Sequence, residues 1–225
     1  MKHPPVRESD LPDYTKGEEI FNMVSHIVGG ALAIAALVLC VVLAGIHANI
    51  WGIVSGAIYG FSLIVLYTMS SLYHGLRRGP AKRVFRVIDH CSIFLLIAGT
   101  YTPYMIGALR KYRPGLAWTI FGLIWGAAVI GIILNSVNLT KYKVFSMICY
   151  ILMGWCIVFA LRPMIQYFKP GCLILLYTGG IAYTTGAVLY GISKKKKIRY
   201  MHSVFHLFVL AGSILHFFSI LIYIM

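Results

Sequence analysis

Seven long apolar stretches restrict the fold of this chain more than any other feature of its sequence. They cover residues 23–46, 51–74, 88–109, 116–134, 144–161, 172–192 and 202–224. A helix needs about 20 apolar residues to cross a bilayer. Within lipid the backbone must satisfy its own hydrogen bonds, so these stretches are expected to be helices rather than open strands. The sequence therefore predicts an all-α integral membrane protein built as a bundle of seven transmembrane helices.

The basic residues of the chain lie mainly between these stretches. A net charge of +14 would suggest a nucleic-acid partner for a soluble protein. In this chain, however, 60% of all residues are hydrophobic. Lysine and arginine counts over alternate connections, beginning with the N-terminal tail, are 15 on one side of the membrane and 5 on the other. Since positive charge favours the cytoplasmic side, we predict the N-terminus inside, the C-terminus outside and no nucleic-acid partner.

The connections between the apolar stretches are short, and none is long enough to divide the chain into two domains. We therefore predict a cytoplasmic tail over residues 1–22 and a single membrane domain over residues 23–225. The tail is polar and rich in proline, and it lacks the apolar core of a signal peptide. It is expected to be a short, mobile lead-in to the first helix.

Acidic side chains are scarce, and Asp89 is the only one after Glu19. An ionisable group at membrane depth is costly and by default indicates a functional site. Asp89 follows His74 by 15 residues, and the last apolar stretch opens with His202 and His206. Alternating crossings place all four side chains in the cytoplasmic half of the membrane.

The histidine spacing predicts a metal site. His202 and His206 are four residues apart, so they face the same way on a helix, and this spacing is one way for a helix to hold zinc. With His74 as a third ligand, the zinc keeps an open position for water. Asp89 would hold that water or take its proton. Ser70, one turn before His74, would lie near the metal.

The remaining histidines are weaker candidates. We expect His3, His47 and His90 to be interfacial side chains. Ser25 and His26 lie at the depth of the predicted metal site and either adjoin it or are interfacial. Residue 216 is ten residues past His206, about 15 Å deeper, so His216 is expected to make an interhelical hydrogen bond.

Small residues are expected to serve packing. Five cysteines occur without a CxxC pair, which favours small buried side chains over disulfides or a zinc knuckle. Glycines spaced by four residues favour close helix packing. They are Gly52, Gly56 and Gly60 on the second stretch, and Gly122 and Gly126 on the fourth.

Three blocks of sequence resemble the hemolysin-III branch of the progestin and adiponectin receptor family. They are Ser70-Ser-Leu-Tyr-His74, the stretch from Asp89 to Thr102-Pro103, and His202-Ser-Val-Phe-His206 with His216-Phe217. The resemblance runs from about Glu18 to the end of the chain. It implies seven helices with a cytoplasmic N-terminus.

The same resemblance implies a zinc site near the cytoplasmic side. The zinc would be held by His74, His202 and His206, with Asp89 on the zinc-bound water and Ser70 close by. The wider superfamily resembles alkaline ceramidases, which hydrolyse lipid amides. Some bacterial members are named for cytolysis, and others are tied to membrane lipid homeostasis.

Three functions remain open from the sequence. The first is a zinc-dependent hydrolase of lipid amides or esters, with Asp89 as the catalytic base and membrane lipids as substrates that enter from the leaflet. The second is a non-enzymatic lipid sensor or a cytolytic, pore-forming protein in which zinc ties helices together. The third is a haem electron carrier, in which Asp89 has no role. All three place the chain as a multi-pass protein of the bacterial plasma membrane, and none fixes its oligomeric state.

Overall fold

A computed structural model describes residues 6–196 and 198–225, and these are almost wholly helical, with no strand among them. His3 and Lys197, which entered the predictions of interfacial position and of loop charge, lie outside the described residues. The helices are α1 (Lys16–Ile46), α2 (Ile50–Gly75), α3 (Pro80–Thr102), α4 (Pro114–Trp155), α5 (Leu161–Tyr167), α6 (Pro170–Lys196) and α7 (Met201–Tyr223). A π-helical turn, Pro103–Ala108, extends α3.

Helix α1 begins at Lys16, seven residues before the predicted apolar stretch. A capping box fixes this start: Thr15 Oγ1 accepts a hydrogen bond from the Glu18 backbone N–H at 3.2 Å, and the Thr15 backbone N–H donates to Glu18 Oε2 at 2.8 Å. This reciprocal pair satisfies two donors that a helix start leaves open. The first turn of α1 therefore carries Glu18 and Glu19 into the bundle.

Six helical spans in the described part of the chain are long and apolar enough to cross a membrane. This confirms the all-α membrane class. The fourth span, Pro114–Tyr167, is 54 residues long and contains two of the seven predicted stretches, so the count of seven crossings stays a prediction.

The backbone of this long span is interrupted at Asn138, which has φ −159° and ψ 90°. Across the interruption, Ser146 Oγ donates to Asn135 Oδ1 at 2.6 Å. Residues 11 apart would be separated by about 16 Å along a straight helix. The chain therefore turns back on itself near Asn138.

Glycine packing agrees with the sequence prediction on α2 but not on α4. A Cβ atom on Gly60 would lie 2.6 Å from Leu37 Cα, and one on Gly56 would lie 3.1 Å from Cys40 Cβ, so both glycines admit α1. A Cβ atom on Gly122 or Gly126 would meet nothing within 4 Å. The prediction for these two was wrong because they lie on the exposed outer surface of α4.

The outer surface is apolar, as expected of a surface that meets lipid. Large exposed side chains such as Phe159 and Leu152 are 79% and 67% accessible. All five cysteines are free, as predicted. Cys40 and Cys172 are buried, while the other three are partly exposed.

The N-terminal segment of residues 6–15, before α1, packs against the helices rather than projecting as the expected mobile lead-in. Val6 and Leu11 are 2% and 6% exposed. They join a small apolar cluster with Tyr73 of α2, Val87 of α3 and Leu139 of α4. These two apolar side chains anchor an otherwise polar segment across three helices.

Candidate metal centre

Three histidines meet where the end of α2 adjoins the start of α7. His202 and His206 occupy the first two turns of α7, and His74 is in the last turn of α2. His202 Nε2 lies 3.3 Å from His74 Nε2 and 3.1 Å from His206 Nε2. One ligand atom from each residue lies within 4.8 Å of the other two, so this triad can bind a metal ion.

Two of the three nitrogen–nitrogen distances in the triad match those around one tetrahedral ion. Zinc–nitrogen bonds of 2.0–2.1 Å at tetrahedral angles put ligand nitrogens about 3.3–3.4 Å apart, close to the 3.1 and 3.3 Å found here. A haem would need its axial nitrogens on opposite faces of a large ring, which this cluster does not allow. The donor set is therefore suited to zinc or a similar divalent ion.

Glu19 orients the first of the three histidines, a role that was not predicted from the sequence. Its Oε2 lies 2.6 Å from His74 Nδ1, and its Oε1 lies 2.8 Å from Lys82 Nζ. A carboxylate only accepts, so Nδ1 carries the proton and Nε2 presents its lone pair to the metal position. The capping box from Thr15 to Glu18 is the sequence signal that could have placed Glu19 within α1, because it starts the helix at Lys16.

His206 packs against α1. Its ring stacks on that of His26, with centroids 3.7 Å apart and planes 13° apart, and its Nδ1 lies 3.5 Å from Ser25 Oγ. Next to it, Ser203 Oγ donates to Asn22 Oδ1 at 2.7 Å. The sequence left open whether Ser25 and His26 adjoin the metal site or are interfacial. In the structure they lie beside the triad.

A cavity of about 1160 Å³ opens beside the triad. Its lining includes His202, His206, Ser70 and Asp89. The Asp89 side chain is 13% exposed and its Oδ2 lies 3.6 Å from His90 Nδ1. The structure thus brings both predicted catalytic residues, Ser70 and Asp89, to the cavity beside the triad. Among the described residues, neither side chain hydrogen-bonds directly to the three histidines.

The other histidines take separate roles. His90 lines the cavity and its Nδ1 donates to the Arg86 carbonyl at 2.9 Å, so it is more than an interfacial side chain. His47 is exposed, as expected, with its Nδ1 2.9 Å from the Met225 carbonyl oxygen. His216 makes the predicted interhelical hydrogen bond, to Leu176 of α6 at 2.9 Å.

The N-terminal segment covers the triad from outside the bundle. The Tyr14 ring stacks on His202, with centroids 5.1 Å apart, and burial raises the pKa of the Tyr14 phenol well above its ordinary value. Arg86 Nη1 donates to the Asp10 carbonyl at 2.6 Å. The Arg7 backbone N–H holds the pKa of the Asp10 carboxyl below its ordinary value. The stacked Tyr14 ring and the hydrogen bond from Arg86 to the Asp10 carbonyl therefore hold this segment against the bundle.

Comparison with known proteins identifies close counterparts. The sequence model of the family described as Haemolysin-III related matches residues 14–217. The chain is 36% identical over 208 residues to Hemolysin-3 of Bacillus cereus, a match that covers 92% of each protein. It is also 36% identical over 210 residues to the Hemolysin-3 homolog of Bacillus subtilis, covering 93% of this chain and 96% of that protein.

A more distant match reaches animals. The human monocyte to macrophage differentiation factor is 28% identical over 207 residues, covering 89% of this chain and 79% of that protein. This is consistent with the wider progestin and adiponectin receptor family. Together with the membrane-spanning helices, these matches establish that the chain belongs to the haemolysin-III related family and is a multi-pass protein of the cell membrane.

Proposed function

We propose that this protein is a zinc-dependent hydrolase of lipid amides or esters that acts in membrane lipid homeostasis. One observation carries the proposal: a cluster of three histidine nitrogens adjoins a lipid-sized cavity that also contains Asp89. Ligand pockets commonly combine apolar walls with a few convergent polar groups. His74, His202 and His206 would hold the metal.

A zinc ion in this site would supply Lewis acidity, lowering the pKa of a bound water to about 7 and polarising a carbonyl group. The Asp89 carboxylate would take a proton from the attacking water and return it to the leaving amine or alcohol as the carbon–nitrogen or carbon–oxygen bond breaks. The Ser70 hydroxyl, 2% exposed, would orient the substrate carbonyl. Glu19 would hold His74 in its ligating tautomer.

The topology that we propose has seven crossings, with the N-terminus and the metal centre on the cytoplasmic side. Two observations support it. The chain turns back near Asn138 within its longest helical span, which allows that span to cross twice. Basic residues also favour the side that carries the N-terminus, 15 to 5.

Release of fatty acid from defined lipids tests the proposed activity. Purified, zinc-loaded protein would be incubated with a ceramide and with a phospholipid in mixed micelles. We expect release by the wild type and a loss of about 10²–10⁴-fold in Asp89→Asn, the range for removing a general base. The matched control is His47→Ala, a histidine on the exposed surface far from the triad. Zinc-loaded wild type that releases no fatty acid from either class would contradict the proposal.

A second candidate is a cytolytic or lipid-sensing protein with a structural metal. The name Hemolysin-3, which both Bacillus relatives carry, favours it, as does the way the triad joins α2 to α7. Dye leakage from vesicles containing the wild type, abolished in His202→Ala, would support this candidate. Tight vesicles with the wild type would exclude pore formation.

A further inference from the structure

The cavity continues far beyond the triad. His206 and His216 both line it, and ten residues of helix separate them, about 15 Å along α7. Between them, α7 contributes the apolar side chain of Val209 to the wall of the cavity. Its distal end, by contrast, carries polar side chains at a depth where such groups are costly and generally functional.

Hydrogen bonding fixes what His216 offers at this distal end. His216 Nε2 lies 2.9 Å from the Leu176 carbonyl oxygen. A carbonyl only accepts, so Nε2 carries the proton and Nδ1 of the neutral ring is an acceptor. This Nδ1 is buried and has no hydrogen-bond partner among the described residues, and the same is true of the Tyr177 hydroxyl. Buried polar atoms in proteins are nearly always paired, so these two atoms call for a partner that the described residues do not provide.

The neighbouring hydroxyl groups of Tyr67 and Tyr183 are both engaged with Ser213 and do not compete for that partner. Tyr67 OH donates to Ser213 Oγ at 2.7 Å, and Tyr183 OH lies 2.7 Å from the same oxygen. Tyr183 also packs on His216, with ring centroids 5.4 Å apart. The arrangement holds the His216 ring in place while leaving its acceptor nitrogen unused.

We propose that the distal end of the cavity is a binding subsite for a hydroxyl group in the middle of a long acyl chain. The proposal rests on the proposed function, since the chain's carboxyl derivative would lie at the triad. An extended chain advances roughly 3.8 Å per three bonds, so 15 Å corresponds to about twelve bonds. Both unpaired atoms belong to residues that line the cavity at one level, since His216 binds the carbonyl of Leu176, the residue before Tyr177 on α6. In the proposed subsite the chain's O–H would lie between them, donating to His216 Nδ1 and accepting from Tyr177 OH. A plain hydrocarbon chain would leave both atoms unpaired.

Competitive binding tests this subsite without any turnover. Zinc-loaded protein in detergent would be titrated with a fluorescent fatty acid, then with a C18 acid hydroxylated at carbon 12 or its unsubstituted counterpart. His216→Gln keeps a donor for the Leu176 carbonyl, while its acceptor, the amide oxygen, is displaced from the position of Nδ1. Tyr177→Phe removes a single oxygen and serves if the first variant fails to fold. His47→Gln is the matched control.

We expect the wild type and His47→Gln to bind the hydroxylated acid about five-fold more tightly, the effect of one net hydrogen bond. The ratio of the affinities for the hydroxylated and the unsubstituted acid should fall towards one in His216→Gln and in Tyr177→Phe, with zinc content unchanged. Equal binding of the two acids by the wild type would overturn the proposal and leave the distal end to water. A preference that persists in both variants would also overturn it. Loss of hydrolysis with the preference intact would count only against the proposed function.

Discussion

At the residue scale, the contact between Glu19 and His74 shows how a largely buried carboxylate can complete a buried site. Glu19 is held on its other side by Lys82, whose Nζ lies 2.8 Å from Oε1. Lys82 in turn donates to the carbonyls of Tyr73 and Leu76 at 3.0 Å. Lys82, at the start of α3, thus links the end of α2 to Glu19 and holds the carboxylate that orients His74.

Replacing Glu19 by glutamine should weaken metal binding by about 10–100-fold, as is typical when a partner of a ligating histidine is lost. The amide can still accept from His74 Nδ1 but no longer carries charge. Zinc affinity would be measured by competition with a chromogenic chelator. Glu8→Gln, at an exposed carboxylate outside the site, is the matched control. Unchanged affinity in Glu19→Gln would show that the contact does not support the metal.

The sequence predicted residue identities better than it predicted their partners. The spacing of His202 and His206 shows that they share a helix face, and the isolation of Asp89 marks it as unusual. Nothing local in the sequence relates Glu19 to His74, because 55 residues separate them and their contact depends on how α1 packs on α2. The environment of His90 was missed for the same reason.

At the element scale, α1 and α2 approach closely because Gly60 has no side chain. Gly60→Ala would place a Cβ atom 2.6 Å from Leu37 Cα, and such overpacking costs about 1–3 kcal/mol. We expect a lower melting temperature in detergent. Gly122→Ala meets nothing within 4 Å and should be neutral or slightly stabilising, since alanine favours helix. Equal melting temperatures for the two variants would contradict the close approach.

The N-terminal segment is a second element with a testable role. Because Tyr14 stacks on His202, Tyr14→Ala should expose the triad and speed the loss of zinc to a chelator. Tyr112→Ala, at a partly exposed tyrosine paired with Tyr167, is a suitable control. A zinc-loss rate in Tyr14→Ala that matches the wild type would mean that the segment does not shield the metal.

Helix boundaries were predictable where apolarity decided them and not where capping did. The apolar stretch at residues 51–74 agrees well with α2 (Ile50–Gly75). The start of α1 was placed late because its first turn is polar and is stabilised by the capping box from Thr15. Hydropathy alone does not detect such a turn.

At the scale of the whole molecule, the number of crossings determines which connections share a side. Seven crossings place Arg113 and Lys169 on the same, outer side, whereas a single crossing by the span Pro114–Tyr167 would separate them. Single cysteines at these positions, in a background without the five native cysteines, would be labelled with a membrane-impermeant maleimide in oriented vesicles. We expect both to react from the outer side. Labelling from opposite sides would contradict the seven-crossing topology.

The metal content of the purified protein tests the central claim most directly. Mass spectrometry of wild-type protein in detergent should find about one zinc per chain. Zinc should be lost in His74→Ala, His202→Ala and His206→Ala, and retained in Asp89→Asn and in the control His47→Ala. Wild-type protein that takes up no zinc or other divalent metal, even after incubation with it, would contradict the account.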